Sequence, residues 1–216
     1  WAGWDYIGEC GDSSPEFADY SSGNPEDRVR GGTNRIDMTG KEYAEADYTR
    51  VAFELDKGPR LAVFPVYEKE KPTMTGWQLT RAMRSWSWHG CEGQETEVEV
   101  YARADSVELF VNSQSVGKKS MKGRCRALFR TAYHDGELTA VSYDASGKEI
   151  RRDTLCTAGQ KTELRMEAES ENCAPGEMVY FRIRCTDENG ETKPMEKQTV
   201  TVTTENGTLM GTVNGS

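Results

Sequence analysis

Alternation of apolar and polar side chains over residues 98–117 is the feature that most constrains how this chain can fold. The stretch reads VEVYARADSVELFVNSQSVG, and turn residues at 104–106 and 112–113 interrupt it. Successive side chains of a β-strand point to opposite faces, so such alternation is typical of antiparallel strands with one buried face. The apolar positions are Val98, Val100, Val107, Leu109 and Val111. We therefore predict a strand-rich domain built around this segment.

Further strands are predicted in the residues that follow Glu95. Apolar and β-branched runs place candidate strands at 96–101, 107–111, 115–119, 125–131, 137–143 and 149–155, and a second series at 164–168, 178–185 and 198–204. Strands that recur about every 8–12 residues favour β-sandwiches. The predicted fold class is mainly β, with tandem immunoglobulin-like β-sandwiches at 59–160 and 161–216. The second span is short for a domain of about 100 residues, so we expect it to be truncated.

The residues before position 59 predict a different arrangement. WAGWDYIGE at 1–9 predicts a strand, and the Gly-, Ser-, Pro-, Asp- and Asn-rich residues 10–35 predict a long loop. From Tyr43 to Leu55, apolar residues recur every three to four positions, which predicts a helix capped by Thr39 or Gly40 and ended before Pro59. A strand follows at 60–66. One strand and one helix cannot bury each other's faces, so residues 1–58 are predicted to belong to a larger unit.

Composition excludes several classes of partner. The formal net charge is −9 and the sequence pI is near 4.9. A nucleic-acid backbone would be repelled, and we expect no Lys/Arg stripe that offsets this charge, so no nucleic-acid partner is expected. No apolar run reaches the roughly 18–20 residues that span a bilayer, so no membrane partner is expected. Because the sequence starts at Trp1, it does not fix the compartment; a bacterial, cytoplasmic location is favoured over secretion.

The six cysteines are spread along the chain without a CxxC pair, and only two histidines accompany them. A zinc site needs clustered ligands at short spacing, so no metal and no cofactor are expected. A disulfide framework is possible but has no supporting pattern. Several cysteines, such as Cys185, extend an apolar strand face, and reduced thiols are the favoured state.

Three stretches together resemble the C-terminal part of family 2 glycoside hydrolases, the β-galactosidase and β-glucuronidase group. WAGWDYIGE resembles the aromatic strand that closes the catalytic (β/α)8 barrel of that family. RIDMTGK at 35–41, with the Tyr-rich helix after it, is similar to the final barrel helix and its lead-in. WSWHG at 86–90, VEVYARADSVELFVNSQSVGKK and ELTAVSYDASGKEIRRDTLCTAG resemble the sandwich after the barrel. Where the family has Asn-Gly at a hairpin turn, this chain has Asn112-Ser113, which predicts a different turn type.

The resemblance implies that residues 1–58 are a strand–loop–helix remnant of the barrel and that the chemistry lies elsewhere. Retaining enzymes of this family use a nucleophile and an acid/base carboxyl group about 5–5.5 Å apart, both on barrel strands upstream of the aromatic strand. No catalytic residue is therefore predicted in this chain. Asp5 and Glu9 are a poor alternative pair, because four residues of straight strand separate their Cα atoms by about 13 Å.

Two residues are candidates for contact with a carbohydrate substrate. The resemblance places Trp1 where the family has an aromatic platform at the floor of the sugar pocket; the alternative is a core residue that fills the barrel end. Asp5 either accepts hydrogen bonds from sugar hydroxyls or caps the next turn. Three further tryptophans, Trp77, Trp86 and Trp88, suggest either a sugar-binding platform or packing at the barrel–sandwich junction, and packing is favoured.

We therefore expect an accessory C-terminal fragment of a retaining β-glycosidase that is most similar to a β-galactosidase. The fragment alone is expected to be inactive, and its carbohydrate substrate would bind through the missing barrel. The alternative function is a carbohydrate-binding or cell-surface adhesion module, since tandem sandwiches serve both roles. A spacer that mediates homo-oligomer formation is a third possibility.

Overall fold

The structure is a computed structural model that describes residues 36, 42–67, 80–196 and 198–212. Within these residues the chain is mostly β, as the sequence predicted, with one helix and nine strands. In chain order these are α1 (Ala44–Ala52), β1 (Arg60–Val63), β2 (Glu95–Tyr101), β3 (Ser106–Val111), β4 (Gln114–Ser120), β5 (Arg126–Ala132), β6 (Glu137–Tyr143), β7 (Glu149–Cys156), β8 (Glu163–Ala168) and β9 (Phe181–Thr186). The candidate strands between 96 and 155 are confirmed, each to within a residue or two.

Seven strands form a two-layer sandwich. One sheet has the order β1-β2-β5 and the other the order β4-β3-β6-β7, and every pairing is antiparallel. The alternating apolar side chains of the two sheets meet in one buried cluster, to which Val98, Val100, Val107, Leu109 and Val111 all belong. Burial of these side chains contributes roughly 25 cal/mol per Å² of apolar surface. The alternation of apolar and polar side chains over residues 98–117 therefore specifies the core.

The β8–β9 hairpin follows the sandwich and presents one apolar face. Its register pairs Leu164 with Cys185, Met166 with Ile183 and Ala168 with Phe181. Two buried side chains tie the hairpin to residues 159–162: Asp187 Oδ2 accepts the Gly159 N–H at 2.8 Å, and Lys193 Nζ donates to Thr162 Oγ1 at 2.8 Å. The hairpin is thus anchored at its base while its apolar face stays accessible.

The predicted strand at 198–204 is wrong, because those residues form no regular strand. QTVTVTT alternates as a strand should, but alternation alone supplies no backbone partners. Val200 is 39% exposed, so this stretch also buries no complete face. A strand needs both a neighbouring strand and a face to cover.

Helix α1 is confirmed, with shorter bounds than predicted. Its N-cap is Tyr43 rather than Thr39 or Gly40, both of which lie outside the described residues. It ends at Ala52 because Glu54 takes a left-handed φ of 63°, and Leu55 N then donates to Arg50 O in a helix-ending turn. Leu55 is consequently 79% exposed and is not part of the apolar face to which the sequence assigned it.

The expected change of turn type at Asn112-Ser113 is also wrong. Both residues have positive φ, 47° and 67°, and Val111 pairs with Gln114, which is the type I′ geometry usually made by Asn-Gly. Asn112 holds this conformation with two side-chain hydrogen bonds: Nδ2 donates to Asp135 O, and Oδ1 accepts the Glu137 N–H, both at 2.8 Å. Contacts with the connection between β5 and β6 therefore stabilise the turn despite the serine.

Five cysteines lie in the described residues, and all five are free thiols: Cys91, Cys125, Cys156, Cys173 and Cys185. Cys185 is only partly buried. The described residues contain no cluster of three His, Cys, Asp or Glu side chains that could hold a metal ion. Within the same residues, no helix has the length and apolar character needed to cross a bilayer.

Candidate functional site

The sequence-predicted substrate contacts, Trp1 and Asp5, lie outside the described residues, as do Glu9 and Trp77. Trp86 and Trp88 are described, and both are fully buried. The Trp86 ring packs 4.8 Å from the Tyr133 ring, and its Nε1 donates to His134 O at 2.9 Å. Neither indole can stack on a sugar while it fills the sandwich core. Both tryptophans are therefore packing residues of the sandwich core, and their place at a barrel–sandwich junction stays a prediction.

A basic cleft of about 860 Å³ lies beside the connection between β4 and β5. We call it the β4–β5 cleft. Ten residues line it, with four cations and no carboxylate among them: Tyr48, Lys119, Ser120, Lys122, Gly123, Arg124, Cys125, Arg126, Ala127 and Leu128. Its volume falls in the range of ligand pockets, roughly 300–1,000 Å³. Within the described residues, this cleft is the candidate binding site.

The local fold explains why the cations converge. Strand β4 belongs to one sheet and β5 to the other, so residues 121–125 must cross the edge of the sandwich. Met121 is buried and anchors this crossing, with its N–H donated to Asp105 O at 2.9 Å. Lys122 and Gly123 then turn sharply with φ of 44° and 77°. The chain reverses around Met121, and charged side chains on both sides of the turn face one cleft.

The positive charge of Arg126, which lines the cleft, is only partly compensated by a nearby carboxylate. Arg126 Nη1 lies 3.6 Å from Glu99 Oε1, and the Glu99 carboxylate is buried. Tyr101 donates its hydroxyl to the other oxygen of Glu99. Burial, together with the adjacent Glu99 carboxylate, raises the pKa of Tyr101 well above its usual value, so Tyr101 stays protonated and keeps donating. Glu99 therefore offsets part of one arginine charge and leaves the rest of the cleft cationic.

Helix α1 adds the ring of Tyr48 to the lining of the cleft. This ring meets the Tyr101 ring edge-to-face, with centroids 5.6 Å apart. Helix α1 is in turn held to the sandwich by Arg103, whose Nε donates to Val51 O at 3.1 Å. The ring is half-buried, so it has a fixed position and an accessible part. A cleft lined by both an aromatic ring and a group of cations suits a ligand with both an apolar surface and negative charge.

The sequence contained a signal for this cleft that was missed. Residues 118–126 read KKSMKGRCR, which is five cations in nine residues. The net charge of −9 led to the expectation that no basic stripe exists, but net charge averages over the whole chain. The local run is basic, and the strand crossing gathers four of its cations around one cavity. What the sequence could not show is the partnership with Tyr48, about 70 positions earlier.

Comparison with known proteins identifies the relatives of this fold. Residues 93–151 match a family described as a domain of unknown function (DUF4982). The β-galactosidase BoGH2A of Bacteroides ovatus is 31% identical over 163 residues, which are 72% of this chain and 19% of that protein. This chain thus spans about a fifth of that relative.

Two solved structures share the fold. A glycosyl hydrolase family 2 member from Bacteroides cellulosilyticus matches with a TM-score of 0.64 and 23% identity, over 73% of this chain and 21% of that one. A β-glycosidase from Bacteroides vulgatus matches with a TM-score of 0.55 and 22% identity, over 74% of this chain and 18% of that one. The resemblance that the sequence predicted is confirmed: this chain is related to family 2 glycoside hydrolases and corresponds to the C-terminal region of such proteins.

Proposed function

We propose that this chain is part of a retaining β-glycosidase with β-galactosidase-like specificity, in which the described residues support the catalytic unit. The observation that carries this proposal is the 31% identity to a β-galactosidase over 163 residues. The proposed parts are a barrel remnant at 1–58, an accessory sandwich at 59–160 and an immunoglobulin-like domain at 161–216. Trp1 and Asp5 remain the proposed substrate contacts.

The chemistry of the reaction explains why the described residues are assigned a supporting role. A retaining glycosidase needs one carboxylate to attack the anomeric carbon and a second carboxyl group to protonate the leaving oxygen. The lining of the β4–β5 cleft contains no carboxylate, so this cleft cannot supply either group. We infer that both come from another part of the whole protein, which would bind the carbohydrate substrate.

Hydrolysis assays test this proposal directly. The 216-residue chain is expected to leave p-nitrophenyl β-galactoside intact, whereas the longer protein that contains it should hydrolyse this substrate with retention of configuration. In the longer protein, Trp1→Ala and Asp5→Ala should each raise KM for the galactoside. Robust turnover by the 216-residue chain would contradict the supporting role. Preference of the longer protein for the matched β-glucuronide would contradict the galactoside assignment.

A carbohydrate-binding role is the second candidate, and the β4–β5 cleft is the observation that favours it. The buried tryptophans speak against the form of this role that relied on a Trp86–Trp88 platform. Self-association also remains a proposal. The described surface that favours it is the apolar face of the β8–β9 hairpin, where Leu164, Met166 and Phe181 are each more than half exposed.

A further inference from the structure

The contacts that the fold makes to the four cations of the β4–β5 cleft neutralise little of their charge. Like charges that line one cavity repel each other. Lys119 Nζ donates to the Leu128 carbonyl, and Arg124 Nε donates to the Met121 carbonyl. These acceptors are neutral, so neither positive charge is paired with a carboxylate in the described residues, although Lys119 Nζ also lies 5.1 Å from the centre of the Phe129 ring. A cluster of this kind is disfavoured without a counterion and becomes favourable when an anion binds.

Lys122 and Arg124 are the two cations that are most available to a ligand. Both side chains are exposed, and neither forms a salt bridge within the described part of the chain. Lys122 makes no side-chain hydrogen bond there either. They flank Gly123 at the turn, so both follow the buried anchor Met121 by one to three residues. Arg126, at the start of β5, adds a third positive charge that Glu99 offsets only in part.

The shape of the cleft selects among anions. A single phosphate or sulfate ion would occupy a small part of about 860 Å³ and would make no use of the Tyr48 wall. A long nucleic-acid backbone needs a continuous basic track, whereas here the cations are confined to one cleft in a protein of net charge −9. A short ligand made of sugar rings that carry carboxylate or sulfate groups can contact both the cations and the Tyr48 ring. Guanidinium groups match the planar oxygen pairs of such anions, and an aromatic face packs on the C–H face of a sugar ring.

We propose that the β4–β5 cleft binds an anionic oligosaccharide, with Lys122, Arg124 and Arg126 contacting its carboxylate or sulfate groups and Tyr48 packing against a sugar ring. The choice of a carbohydrate rests on the proposed glycosidase function, while the requirement for negative charge rests on the cleft alone. The site would hold charged glycan at the sandwich without taking part in bond cleavage.

Calorimetric titration of the 216-residue chain tests this site. The probes are trigalacturonate, a sulfated galactotriose, neutral galactotriose and a single-stranded RNA hexamer. We expect saturable binding of at least one charged trisaccharide, no saturation by the neutral one, and loss of affinity as salt rises. Equal binding of neutral and charged trisaccharides, or no binding of either charged one, would overturn the proposal. Tighter binding of RNA than of both charged trisaccharides would assign the cleft to nucleic acid instead.

Variants locate the binding. The double change Lys122→Ala and Arg124→Ala should lower the affinity for the charged trisaccharide about tenfold or more. Tyr48→Ala should lower it severalfold. Lys122→Arg should retain affinity because it retains the charge. Lys161→Ala is the matched control, since this exposed cation follows β7 at the other end of the sandwich and does not line the cleft. An equal loss in the Lys161 variant would show a non-specific charge effect and refute the site. Thermal unfolding of each variant verifies that it is folded.

The outcome is independent of the hydrolysis assays. Binding to the cleft is measured by calorimetric titration of the 216-residue chain, and glycosidase activity is measured by substrate turnover with the longer protein. If turnover on β-galactoside fails while the charged trisaccharide binds, only the proposed enzyme activity is wrong. If turnover succeeds and no charged trisaccharide binds, only the cleft assignment is wrong.

Discussion

Asp153 holds Arg84 by a bidentate pair, with Nη1 to Oδ2 at 2.6 Å and Nη2 to Oδ1 at 2.7 Å. The same Oδ2 accepts the N–H of buried Leu61 at 2.9 Å. One carboxylate on β7 thus joins the segment before β2 and the edge strand β1 to the larger sheet. These contacts connect the two layers of the sandwich through a polar link at its edge.

We expect Asp153→Ala to lower the free energy of unfolding by about 2 kcal/mol, because it leaves the Leu61 N–H without its acceptor and Arg84 without its carboxylate. Chemical denaturation followed by Trp fluorescence measures this change. Glu149→Ala is the matched control on the same strand, since Glu149 forms an exposed pair with Arg152. That control should leave the unfolding midpoint unchanged. An equal loss of unfolding free energy in both variants would show that the Asp153 contacts stabilise the fold no more than an exposed ion pair does.

Ser113→Gly should stabilise the protein by about 1 kcal/mol. Ser113 has a φ of 67°, in the left-handed region that costs a non-glycine residue roughly 1–2 kcal/mol, partly offset by the greater freedom of glycine when unfolded. Asn112→Gly is the informative contrast, because it removes the hydrogen bonds to Asp135 and Glu137 and should destabilise. Thermal unfolding of the two variants should shift in opposite directions. A shift in the same direction would contradict the turn geometry.

Alkaline pH should destabilise the fold through Tyr133. Burial, with the hydrogen bond to Asp135, raises the pKa of Tyr133 from 10.0 to about 12. A pKa that is higher in the folded state than in the unfolded state gives stability that is complete below pH 10 and is lost as the pH rises towards 12. A two-unit shift corresponds to about 2–3 kcal/mol over that window.

Tyr133→Phe isolates this contribution. The variant should be less stable at pH 7, because the Trp88 N–H loses its acceptor, yet its stability should fall less steeply between pH 10 and 12. Urea unfolding at several pH values measures both slopes. Parallel slopes for the two proteins would mean that Tyr133 does not titrate differently on unfolding.

The β8–β9 hairpin should bind apolar probes through its exposed face. Leu164, Met166 and Phe181 are 53%, 63% and 57% exposed on one side of the register. We expect Met166→Glu with Phe181→Glu to lower fluorescence from a hydrophobic dye and to reduce any dimer seen by light scattering. Glu163→Gln, on the other side of β8, is the control and should change neither signal. Unchanged dye fluorescence in the double variant would place the apolar surface elsewhere.

Sequence patterns predicted the structure correctly where the spacing of apolar residues along a segment is compatible with only one structure. The alternation around Val107, Leu109 and Val111 must bury one face, and it does. The same patterns gave wrong predictions where the structure of a segment depends on a neighbouring strand or on the backbone conformation of an adjacent residue. The QTVTVTT run alternates equally well but lacks a paired strand, and Leu55 fits the helical period but lies beyond the left-handed residue Glu54 that ends the helix.

The amino-acid sequence by itself determined the β-rich fold, the strands from 95 to 156, helix α1 and the relationship to family 2 glycoside hydrolases. These follow from side-chain periodicity and from residue patterns that persist along the chain. Only the tertiary structure decided that Trp86 and Trp88 are core residues and that KKSMKGRCR and Tyr48 line one cleft. Burial and charge convergence depend on which distant segments meet, and the crossing from β4 to β5 between the two sheets sets that meeting.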